Sequence, residues 1–140
     1  MCFLDSRHAK LAMCDLRDMR NPQAVVEVAS SCLENMMAME ELHMPSVHCV
    51  SAIQKEVNDR MRQIMVGWLV EVHLKFKLMP ETLYLAINLV DRVTERIEIR
   101  RNEYQLLGVT AMLVASKYEE IHPPIVEDFV YITDNTYTKD

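Results

Sequence analysis

The chain has 140 residues, half of them apolar and 26% charged, with only two glycines, which is enough for one well-buried domain and too few for two. This composition excludes a disordered or collagen-like polypeptide, and a formal charge of −6 argues against a nucleic-acid partner, which calls for a basic face. Eleven methionines, scarce glycine and little period-two alternation predict an all-α protein.

Residues 1–20 carry scattered charge and a weak apolar pattern, and little structure is expected of them. Asn21 followed by Pro22 is a helix-start signal. It opens a predicted helix to about His43, with Val25, Val28, Ala29, Cys32, Met36 and Met39 on one face. Pro45 ends it, so that residues 21–53 form a helix and a connection ahead of a main domain over 54–140. The next helix shows a clear stripe of Met61, Ile64, Met65, Trp68, Leu69, Val72 and Phe76. Val66, Val70 and Leu74 widen that stripe, predicting cover on more than one side, and Glu71 and Lys75 form an i,i+4 pair. Pro80 opens a third helix, Glu81 to about Glu95. Asn102 is the expected N-cap of a fourth, running to about Glu120. No charge occurs from Tyr104 to Ser116, and Gly108, Ala111 and Ala115 allow a neighbouring helix close approach. A buried central helix is predicted. Ile125 to Ile132 reads as a short helix after Pro123-Pro124, Asp134-Asn135 as a turn, and Thr138 as the N-cap of a helix cut off at Asp140.

Cys2, Cys14, Cys32 and Cys49 form no Cys-x-x-Cys, so no zinc ribbon or redox pair is indicated, and reduced thiols in a soluble, intracellular protein are expected. The N-terminus lacks the apolar run of a signal peptide, and the longest uncharged stretch is too short to span a bilayer. His43, His48 and Cys49 could hold a metal but have no regular fourth ligand, so a loop is the simpler account. Glu40-Glu41 and Glu119-Glu120 read as solvated acids ending helices. No phosphate-binding loop, nucleophile elbow or His-Glu-x-x-His occurs, and no enzyme and no cofactor are expected.

The run Met61-Arg62-Gln63-Ile64-Met65-Val66-Gly67-Trp68-Leu69-Val70-Glu71-Val72 resembles the opening of a cyclin box. The likeness continues through Lys75-Phe76-Lys77-Leu78, Glu81-Thr82-Leu83-Tyr84-Leu85-Ala86 and Val90-Asp91-Arg92. It resumes at Gln105-Leu106-Leu107-Gly108, then Ala111-Met112-Leu113-Val114-Ala115-Ser116-Lys117-Tyr118-Glu119-Glu120, Pro123-Pro124 and Val126 onward to Lys139. The residues are most similar to the mitotic A- and B-type cyclins, and Asn21-Pro22-Gln23 resembles the segment before the box in B-type members. The resemblance implies a cyclin-box-like helical domain with a buried central helix, here truncated with the fifth helix missing. It also implies docking to and activation of a cyclin-dependent serine/threonine kinase in cell-cycle control, in nucleus and cytoplasm. A truncated scaffold or competitor that does not activate is the rival expectation.

Three groups of residues carry over from the resemblance. Arg62 and Asp91 match a charged pair tying two box helices; by pattern alone Asp91 falls in a solvated stripe with Tyr84, Asn88 and Glu95. Lys117, with Tyr118 and Ala115, matches the kinase-facing end of the central helix, although a cation there also suits a helix C-terminus. Met61, Ile64, Trp68, Glu71 and Gln105 match a groove for Arg-x-Leu substrate peptides, although Met, Ile and Trp at helical spacing otherwise read as core. Gly67 stands where the family usually has aspartate, and Tyr104 where leucine is usual.

Overall fold

The computed structural model describes residues 18–21, 24, 26–46, 50 and 53–139, and among them there are five helices and no strand. They are α1 (Val26–His43), α2 (Asp59–Phe76), α3 (Pro80–Thr94), α4 (Tyr104–Glu119) and α5 (Val126–Ile132). None of these helices is long and apolar enough to cross a membrane. The chain divides into two compact units, Met1–His43 and Met44–Asp140. The second unit reaches back past the expected boundary at 54, because Val50 already belongs to its core.

The first unit contains α1. Pro22, Gln23 and Val25, on which the expected helix start rests, lie outside the described residues. The expected apolar face is not a buried one: no residue of α1 is buried, and Val28, Cys32, Met36 and Met39 are all exposed.

In the second unit, α2 begins where Asn58, three residues ahead of the first residue of the apolar stripe, turns its side chain back to accept from the Met61 N–H at 3.0 Å. It ends at Lys77, whose left-handed backbone (φ 54°) allows Leu78 N–H to reach the His73 carbonyl. Met65, Leu69 and Val72 are buried, with Met61, Trp68 and Phe76 packed partly beside them. The wider stripe does not hold, since Val70 and Leu74 are exposed. Nor does Lys75 pair with Glu71; its ammonium lies 5.2 Å from the centre of the Tyr131 ring.

Pro80 occupies the first turn of α3, where its missing N–H costs nothing. The most extensive packing is between α3 and α4. Leu69 and Met112 are wholly buried between the helices, and Phe76 meets Phe129 of α5 edge-on at 5.2 Å. The short α5 starts on Ile125, whose N–H donates to Asp128 Oδ2 at 3.1 Å, half of a capping box. Asp134 and Asn135 both take left-handed conformations, making the expected turn. Thr138 and Lys139 are not helical. Lys139 hydrogen-bonds Glu127, which holds that carboxyl below the usual carboxylate range.

One further expectation about α4 needs correction. Asn102 is not its cap; Glu103 precedes the helix without a side-chain cap, and Asn102 instead accepts the Tyr137 hydroxyl on its carbonyl at 3.0 Å. The helix is buried on most sides, while Leu106, Thr110 and Val114, four apart, share an exposed strip. The small-residue expectation has a direct counterpart. A methyl added at Gly108 would stand 2.5 Å from Met65 Sδ, and Met65 is itself buried. Overpacking costs about 1–3 kcal/mol, against about 1 kcal/mol gained in helix propensity. Gly108→Ala is therefore expected to lower the thermal midpoint modestly. An unchanged or raised midpoint would mean that Met65 swings aside freely.

Candidate functional site

Three side chains in succession fasten one loop. Gln54 Nε2 donates to the Thr94 and Ile97 carbonyls at 2.7 and 2.6 Å, and its Oε1 accepts from the Ile99 N–H at 2.9 Å. Lys55 pairs with Glu98 at 3.0 Å, and Glu56 Oε2 accepts from the Arg101 N–H at 3.0 Å. These bonds set the entry into α4 against the start of α2, and a groove of about 360 Å³ opens between them.

The groove is lined by Met61, Ile64, Met65 and Trp68 from α2, and by Arg101, Tyr104 and Gln105 from the start of α4. Four of the five residues matched to a peptide groove thus come together. Glu71 is exposed and is not among the lining residues. Ile64 is 65% exposed and offers an apolar surface to a partner. The charge is the reverse of that expected: the ionised group on the lining is Arg101, not a carboxylate. Arg101 carries no sequence signal of its own, because it sits in a loop whose position depends on Gln54 and Glu56. Tyr104 is buried, so its ring fills the floor where a smaller leucine is usual.

Arg62 and Asp91 meet in a two-pronged pair, Nε to Oδ1 and Nη2 to Oδ2, each 2.6 Å. The Asp91 side chain is 7% exposed and that of Arg62 34%. Asp91 therefore does not belong to a solvated stripe; its carboxylate lies inside, joined to α2 by a geometry that only arginine supplies.

At the far end of α4, Lys117 is exposed and makes no ion pair among the described residues, and Tyr118 is 79% exposed. Ala115, matched to the same face, is fully buried and belongs to the core, so it presents no surface to a partner. Of the two acids after Lys117, one differs from expectation. Glu119 is exposed, but Glu120 Oε1 accepts from the Met79 N–H at 2.7 Å and from the Thr82 hydroxyl at 2.5 Å. No group of three potential metal ligands occurs among the described residues, and His48 and Cys49 lie outside them.

The model of the cyclin N-terminal domain matches residues 31–140. "Cyclin-A2-1" of Oryza sativa subsp. japonica is 50% identical over 122 residues, which is 87% of this chain and 25% of that protein. "G2/mitotic-specific cyclin-B2" of Homo sapiens is 41% identical over 136 residues, 97% of this chain and 34% of that protein. The chain spans between a quarter and about a third of the length of these relatives. A viral cyclin from herpesvirus saimiri shares the fold, with a TM-score of 0.65 at 24% identity over 74% of this chain and 45% of that one. An all-helical domain, the residues of a cyclin box and relatives of both mitotic types agree, and the chain belongs to the cyclin family.

Proposed function

We propose that this chain is a regulatory partner of a cyclin-dependent serine/threonine kinase, acting in cell-cycle control in nucleus and cytoplasm, with no catalysis of its own. Family membership supports the kinase as partner. The observation that carries the choice of surface is the exposed end of α4, where Lys117 has no ion-pair partner within the described chain and Tyr118 projects into solvent. A cation left without a partner on an exposed apolar end suits a partner that brings an acid and an apolar pocket. The experiment is a phosphorylation assay of the kinase with increasing amounts of this chain. A rise in rate that saturates supports regulation by activation. Binding with an unchanged or reduced rate would favour the scaffold or competitor.

The groove between α2 and α4 favours a second activity, docking of Arg-x-Leu substrate peptides. Met61, Ile64 and Trp68 offer a seat for the leucine, while Arg101 on the lining and the absence of Glu71 from it disfavour the arginine. Weak binding, chiefly through the leucine, is expected. Nothing lies within 4 Å of a Cβ added at Gly67, so Gly67→Asp introduces a carboxylate without a clash. It should tighten the peptide by about 1 kcal/mol if the acid stays partly solvated. Stability is measured alongside, because leaving glycine also improves helix propensity. The gain should vanish for a peptide whose arginine is replaced by alanine; equal tightening of both peptides would rule out an arginine subsite.

A further inference from the structure

Glu120 is the residue on which the chain leaves α4. Its N–H still closes onto the Ser116 carbonyl, its backbone is already extended (ψ 139°), and Ile121 just beyond it is 90% exposed. Its side chain serves a different helix. α3 has no side-chain cap of its own: Met79 at the cap position supplies none, and Pro80 has no N–H to offer. The Glu120 carboxylate fills that role from 41 residues away, taking the Met79 N–H and the Thr82 hydroxyl on one oxygen. A negative group is favoured at the start of a helix, and the Thr82 hydroxyl, on a completely buried residue, meets the half-buried Glu120 carboxylate, while the Met79 N–H bond lies at the surface. One side chain thereby ties the last turn of α4 to the first turn of α3 and sets where Lys117, Tyr118 and Ile121 stand.

We propose that Glu120 is a positioning residue for kinase binding. It holds the exposed end of α4 in the orientation that the kinase meets, acting through α3 and without touching the kinase itself. The proposal rests on the reading of that end as the kinase-binding face.

The test uses the whole chain with Glu120→Ala, Glu120→Gln and Thr82→Val. Kinase affinity is measured by calorimetry at a temperature where circular dichroism shows each variant fully folded, and hydrogen exchange is followed at the Met79, Tyr118 and Ile121 amides. Glu120→Ala is expected to weaken the kinase about tenfold and to speed exchange at Met79. Glu120→Gln, whose amide oxygen still accepts both bonds, should restore affinity and protection. Thr82→Val, which removes one donor, should cost a few-fold and stands in for the alanine variant should that one not fold. Wild-type affinity in Glu120→Ala, or equal loss in Glu120→Gln, would overturn the proposal. A wild-type chain that binds no kinase would instead overturn the functional reading, and unchanged Met79 exchange in Glu120→Ala would then still refute the tie between the helices.

Discussion

Arg62→Ala is expected to destabilise the second unit by about 3–5 kcal/mol, the range for breaking a buried ion pair by removing one partner. The cost is not the lost attraction alone. With Arg62 gone, the Asp91 carboxylate stays almost wholly inside the protein and loses both of its 2.6 Å donors from that side chain. Deleting the other member is less damaging, because Arg62 is a third exposed and can turn its guanidinium to water. Asp91→Asn should therefore cost clearly less than Arg62→Ala. Urea denaturation of both variants checks the order. Equal costs, or a negligible one for Arg62→Ala, would show that water reaches Asp91 and that the pair contributes little.

The second large effect concerns binding. Lys117→Ala should leave thermal stability almost unchanged, since an exposed cation near a helix C-terminus contributes only about 0.3–1 kcal/mol. Kinase affinity should fall by about 2 kcal/mol or more, because the kinase's acidic partner would be left buried and unpaired in the complex. Calorimetry and thermal melting on the same preparation separate these. Wild-type affinity with Lys117→Ala would remove Lys117 from the interface, whatever becomes of the rest of the face.

The helices of the second unit were legible because their apolar residues recur at 3.6-residue spacing, and prolines mark the beginnings of α3 and α5. What escaped were bonds between residues distant in sequence. Gln54, a polar residue in a stretch that reads as a connection, saturates its amide on a loop some forty residues away. Glu120 reads as a solvated acid and is a helix cap for another helix. Neither has a local signal, because the partner is supplied by the fold. Arg101 followed the same logic, entering the groove only through that fastened loop. Spacing also misjudged sides: it widened the apolar stripe of α2 to Val70 and Leu74, which are exposed, and drew an apolar face on α1, of which no residue is buried. Apolar character states which residues could be covered, whereas cover depends on the neighbours present. The groove residues Met61, Ile64, Trp68 and Gln105 were reached through family resemblance, since periodicity alone assigns such side chains to a core. Resemblance in turn included Ala115, which the packing of α4 turns inward.

Titration of a purified cyclin-dependent kinase with this chain, followed by calorimetry, tests most directly whether it is a kinase partner. Saturable one-to-one binding that Lys117→Ala weakens and that Gly67→Asp leaves unchanged is expected. Absence of binding by the folded chain, or binding lost on Gly67→Asp and indifferent to Lys117→Ala, would contradict it.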